Sequence, residues 1–105
     1  MKNILILIIL LFSLNTFSQE PTLLYMNSSW NSKNDYKYLS SIKGVKIVKV
    51  DYDSQPKKFK EKIKSVPAII LFDRNKKLKK IWQAGISMKL ILDPKEVQKL
   101  VDIIK

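Results

Sequence analysis

The sequence predicts an α/β domain: a four-stranded mixed sheet with three helices, in the order strand, helix, strand, helix, strand, strand, helix. Three observations lead there. Ala68 to Phe72 are consecutive apolar residues, β-branched and aromatic among them, the length and composition of a strand buried on both faces. Pro67 has no N–H to give a sheet and therefore marks that strand's entrance. Finally, the connection Arg74 to Lys77 is too short for a parallel crossover, so the last two strands form an antiparallel hairpin, while helix-linked strands earlier in the chain can run parallel.

The first strand is the apolar stretch Leu23 to Met26. After the polar cluster Asn27 to Asp35, Ser32 with Asp35 three residues later reads as a variant capping box. It opens a predicted helix from about Lys33 to Ile42, with Tyr36, Leu39 and Ile42 at helical spacing. Gly44 supplies the left-handed stop. Val45 to Tyr52, alternating in part with Lys46 and Lys49, is the second strand, and Asp53 to Pro56 the turn after it. Pro56, at a first helical position, opens a basic amphipathic helix through Lys64, with Phe59 and Ile63 four apart. Leu78 to Ala84 is the fourth strand, ended by Gly85. A loop from Ile86 to Leu92 leads to the last helix, with Asp93 as N-cap, Pro94 in the first turn and Glu96 three residues after the cap. Val97, Leu100, Val101 and Ile104 form its apolar stripe.

The 105 residues suffice for one small domain. Met1-Lys2-Asn3, the apolar run Ile4 to Phe12 and small residues at Thr16 and Ser18 read as an export signal, cleaved after Ser18 or Gln19. Residues 1–19 are thus a leader and 20–105 the domain, periplasmic or secreted, with a membrane association expected only if the leader stays uncleaved. The net charge of +11 barely changes on cleavage, because Lys2 is the leader's single charged residue. With no cysteine there is no disulfide, no thiol chemistry and no thiolate metal ligand; with no histidine the usual neutral-pH base and the commonest metal ligand are missing. No cofactor or metal is expected. Asp51, Asp53 and Asp73 sit at strand ends, but no spacing gathers their oxygens around one point.

Four stretches in order resemble the thioredoxin family over nearly the whole of 20–105. Leu23 to Met26 followed by Ser28-Ser29-Trp30 is similar to the strand and Trp before the redox motif, and Val48 to Pro56 to the second strand with its Asp-rich turn. Ser65-Val66-Pro67-Ala68 is similar to the cis-proline loop, and Gly85 to the glycine beyond the last strand. The resemblance implies a minimal version of the fold, lacking the family's extra first strand and helix. It fails at the chemistry. Where the family has Trp-Cys-Gly-Pro-Cys, this chain has Trp30-Asn31-Ser32-Lys33-Asn34, and Tyr25 stands where many members carry a buried Asp. Disulfide exchange needs a low-pKa thiolate and a resolving thiol, and an amide supplies neither. What the resemblance implies is a redox-inactive, non-enzymatic relative; activity as an oxidoreductase is implied by kinship alone.

Two uses of the surface follow. A groove bounded by Trp30, Asn31, Val66, Pro67 and Gly85 could take a protein or an extended peptide, as the resemblance implies for the cis-proline loop. Each residue also has a plainer reading: Asn31 and Asn34 as loop and cap chemistry, Pro67 as a strand entrance, Trp30 as partial core. Alternatively, the lysine runs 57–64 and 74–80 could hold the domain to anionic lipid or polysaccharide as an envelope-associated module, or be a solvated face. Nucleic acid is disfavoured, since Arg74 is the single arginine available for bidentate contacts.

Overall fold

The computed structural model describes residues 20–105; the predicted leader and its cleavage positions, 1–19, lie outside the described residues. Four strands, β1 (Thr22–Asn27), β2 (Lys46–Asp51), β3 (Ala68–Phe72) and β4 (Leu78–Gln83), form one sheet in the order β2-β1-β3-β4. β1 and β2 run parallel, while β3 is antiparallel to both β1 and β4. The sheet is mixed, as the connection lengths require.

Period-two alternation in the two central strands divides the core into two layers. Leu24 and Met26 of β1 and Ala68, Ile70 and Phe72 of β3 point to one side, where Ile63 and Val66 cover them next to helix α1 (Lys57–Lys62). Leu23, Tyr25, Ile69 and Leu71 point to the other, against Val97 and Val101 of helix α2 (Pro94–Ile104). Every residue of β1 and β3 is buried. Each large apolar side chain so enclosed contributes about 1.5–3 kcal/mol relative to exposure, and the core is the chain's main source of stability because nothing staples it covalently.

The helical segment between β1 and β2 departs from the expected continuous helix over 33–42. It consists of two 3-10 turns, Ser29–Asn34 and Leu39–Ser41, and Ser32 caps nothing. The cause lies in two side chains committed elsewhere. Asn31, at φ −111° and ψ 17°, breaks the first turn while its amide is held by the Val66 and Met88 carbonyls, and Asp35, at ψ 141°, ends that turn with its carboxylate bound to β1. Tyr36, Leu39 and Ile42 still bury together against the α2 layer, so the apolar spacing is used without the helix. Gly44 has the predicted positive φ, 74°.

α2 starts as predicted, with Asp93 accepting from the Lys95 amide at 2.9 Å and Pro94 in the first turn. Glu96 has a different task from closing the cap: it accepts from the indole N–H of the buried Trp82 at 2.7 Å, joining α2 to β4. The hairpin between β3 and β4 is organised by Asp73. Its carboxylate accepts the amides of Asn75 at 2.8 Å and Lys77 at 2.9 Å and pairs with Lys79 at 3.5 Å, and Lys76 takes the left-handed conformation at φ 65°.

Bonding from the Lys77 amide, then from Asn75 and the charge of Lys79, holds the Asp73 carboxyl below its ordinary pKa. A depressed carboxylate stabilises the fold above the unfolded pKa of about 3.9 and loses that contribution as pH falls through the lower folded value. Asp73→Ala should therefore cost about 1 kcal/mol at pH 7, by urea unfolding. The difference from the parent should shrink below about pH 4; a gap that stays constant down to pH 2 would contradict this account of the turn.

Candidate functional site

The sheet topology brings the C-terminal end of β1 beside the N-terminal end of β3, because Met26 pairs with Ala68. Whatever follows β1 therefore meets whatever precedes β3. After β1 comes the turn Ser29–Asn34; before β3 comes Val66-Pro67, whose peptide bond is cis. The loop after β4 arrives at the same end of the sheet, anchored where the Ala84 amide donates to the Pro67 carbonyl at 3.0 Å.

Asn31 sits where these segments converge, 2% exposed. Its side-chain nitrogen donates to the carbonyls of Met88 at 2.9 Å and Val66 at 3.3 Å and to Asn27 Oδ1 at 3.2 Å. Two hydrogens serving three acceptors means the longer pair share one, and the Met88 bond is the firm one. The side-chain oxygen accepts from Asn34 Nδ2 at 2.8 Å, and the main-chain carbonyl from Asn27 Nδ2 at 3.2 Å. Asn27 Nδ2 also donates to Asp35 Oδ1 at 2.7 Å, and the Tyr25 hydroxyl donates to the same oxygen at 2.7 Å while accepting the Tyr36 amide at 2.9 Å. Burial, above all, raises the Tyr25 hydroxyl well above the ordinary tyrosine range, so its proton stays in place at neutral pH. Within this polar cluster Ser28 Oγ is buried and has no bonding partner among the described residues.

Of the five positions proposed from sequence as a groove, Val66 and Pro67 are buried along with Asn31, while Trp30 is 61% exposed and Gly85 is open to solvent. Asn31 and Val66 are in direct contact, and the Pro67 and Ala84 main chains join the loop bearing Gly85 to the pair. A β-carbon added at Gly85 would meet nothing within 4 Å, so close approach is not what a glycine does there. Of the degenerate motif, Ser32 and Lys33 are exposed and Asn34 is half-buried. Sequence reasoning missed Asn27, Asp35, Ile86 and the Met88 carbonyl. The spacing Asn27, Asn31, Asn34, Asp35 was the available signal, since polar residues three and four apart share one side of a helical turn. Ile86, fully exposed, lies two residues before Met88, and Trp30, 61% exposed, is next to Asn31 in the chain.

Solved structures similar to this chain include the following two. One is a disulphide isomerase from Xylella fastidiosa Temecula1, with TM-score 0.53, 13% identity, and coverage of 89% of this chain and 84% of that one. The other is a yeast mitochondrial 1-Cys peroxiredoxin, with TM-score 0.52, 16% identity, and coverage of 88% and 86%. The fold is thioredoxin-like. No family model and no curated protein matches the chain.

The amide of Asn31 cannot ionise or attack a disulfide, and the chain has no cysteine. Among the described residues no three His, Cys, Asp or Glu side chains are grouped to hold a metal ion, and no helix is long and apolar enough to cross a membrane. The arrangement fixes three chain segments to one another and leaves an aromatic and an aliphatic side chain at the surface beside them.

Asn31→Ala should strand the Met88 and Val66 carbonyls and should destabilise the domain by about 2–4 kcal/mol in urea unfolding, each buried unsatisfied group costing about 1–3. Asn34→Ala, which removes a half-buried donor, should cost under about 1 kcal/mol. Equal losses for the two variants would show that Asn31 is not the tie described.

Proposed function

We propose that this chain is an exported, redox-inactive thioredoxin-like domain that binds protein or peptide at the end of the sheet marked by Trp30, Asn31, Val66, Pro67, Gly85 and Ile86. The observation that carries the reading is Asn31: its buried amide occupies the motif position of the nucleophile and spends its hydrogens on Val66 and Met88. The site is thereby built as a rigid support in place of a reactive centre. Rigid support favours recognition, since less conformational entropy is lost when a partner is held. Trp30 at 61% exposure and the fully exposed Ile86 are the contact side chains it presents; an exposed aromatic carries large apolar area and a polar edge, the mixture enriched at interfaces. Without a thiolate the domain performs no disulfide exchange.

Titration with a reduced, unfolded neutral polypeptide, followed by two-dimensional NMR, should shift the Trp30 indole and the amides of Val66, Gly85 and Ile86. Trp30→Ala should weaken binding about tenfold or more, as truncation of a central aromatic does. Shifts confined to the lysines of α1 would favour the electrostatic, envelope-associated reading, and turnover in an insulin-reduction assay would defeat the redox-inactive one.

A further inference from the structure

A second concave surface lies beside the polar cluster, and Trp30 is not among the residues that line it. It is a cleft of about 620 Å³ between the segment from Lys33 to Tyr38 and the segment from Lys89 to Pro94. We propose that this cleft binds an acidic peptide segment carrying a large apolar side chain.

The walls are fixed to each other. The Tyr36 hydroxyl donates to the Leu92 carbonyl at 2.8 Å across the cleft, and the Asn31 amide donates to the Met88 carbonyl at 2.9 Å, tying together the residues just before the two walls. Leu90 and Leu92 pack onto the core beneath, and the Tyr36 ring meets the Tyr38 ring edge to face at 5.7 Å. The cleft is thus preformed, and an occupant does not have to order it.

Its charges are unequal in availability. Asp35 gives one carboxylate oxygen to the Tyr25 hydroxyl and the Asn27 amide, and Asp93 caps α2. The cations Lys33, Lys37 and Lys89 line the same cleft, are exposed, and form none of the ion pairs among the described residues, which join Lys79 to Asp73 and Lys105 to Asp102. Asp35 and Asp93 are exposed as well, but each has one carboxylate oxygen taken by hydrogen bonds of the fold, and the three lysines outnumber them, so the surplus charge of the cleft is positive and complements carboxylates. Ile91, 89% exposed, and Tyr38, 55% exposed, stand among these lysines and supply apolar area that a purely ionic ligand would leave unused. A peptide alternating glutamate with leucine meets both demands.

The test is fluorescence polarisation with a labelled Glu/Leu alternating peptide on the intact domain, each variant checked for folding by its NMR spectrum. Reversing Lys33, Lys37 and Lys89 to Glu should weaken binding at least about tenfold, since exposed pairs contribute up to about fivefold each. The same charge change at Lys57, Lys58 and Lys62 of α1 should weaken it no more than about threefold, through long-range attraction alone. Ile91→Ser should weaken it severalfold, and replacing the peptide's leucines with glycine should have the same effect. Trp30→Ala should leave this binding within about twofold, which separates failure here from failure of the Trp30 site. Equal losses for the two lysine triples would overturn the proposal, as would indifference to both Ile91→Ser and the glycine peptide. So would binding to phosphatidylglycerol vesicles that depends on the cleft lysines while the peptide fails to bind.

Discussion

The arrangement at the functional end of the sheet depends on one side chain being both buried and a hydrogen-bond donor. Asn31 joins the turn after β1 to the residue before the cis peptide at β3 and to the loop after β4. These segments are distant in sequence, and each carries carbonyls that the sheet does not satisfy. A buried carbonyl without a donor costs about 1–3 kcal/mol, so an apolar residue at position 31 would leave two such acceptors behind. The amide removes that cost and, because its oxygen and main chain are taken by Asn34 and Asn27, adds no unsatisfied group of its own.

The same commitment explains the local structure. A continuous helix over 33–42 would require Asn31 to lead into it and Asp35 to lie within its first turn. Asp35 instead receives the Tyr25 hydroxyl and the Asn27 amide, both from β1, and the chain leaves helical geometry at that residue. Short polar side chains compete with helical backbone bonding, and here four of them within nine residues bind to strand ends or to one another. The apolar spacing of Tyr36, Leu39 and Ile42 survives because their burial against α2 needs only that they share a face.

Much of the fold was legible because it rests on signals local to the chain. The run Ala68–Phe72, the proline before it, the Asp93-Pro94 start of α2 and the short link after Asp73 each state their structure within a few residues, and each was found where expected. The polar cluster was not legible in the same way. Asn31 read as loop and cap chemistry and Asp35 as part of a capping box because their partners, Val66 and Met88 carbonyls and the Tyr25 hydroxyl, come from elsewhere in the fold and carry no sequence signature. Glu96 shows the same limit: its spacing from Asp93 predicts a capping partner, whereas the indole of Trp82, brought close by the packing of α2 on β4, takes its carboxylate. Among the groove residues exposure, which decides whether a residue can touch a ligand, separates Trp30 from Asn31 and Val66.

That separation bears on what position 31 does for the fold. A thiol is a weak donor and a weak acceptor, so at position 31 it could not serve the Met88 and Val66 carbonyls as an amide does. The present chain has a stronger donor there and a network of amides around it, with Asn34 completing the oxygen side. A cysteine at position 31 would therefore remove a structural tie. The amide cluster is thus a set of mutually bonded donors and acceptors at this end of the sheet. Its rigidity lets the exposed Trp30 and Ile86 be presented in a fixed relation without being part of the core.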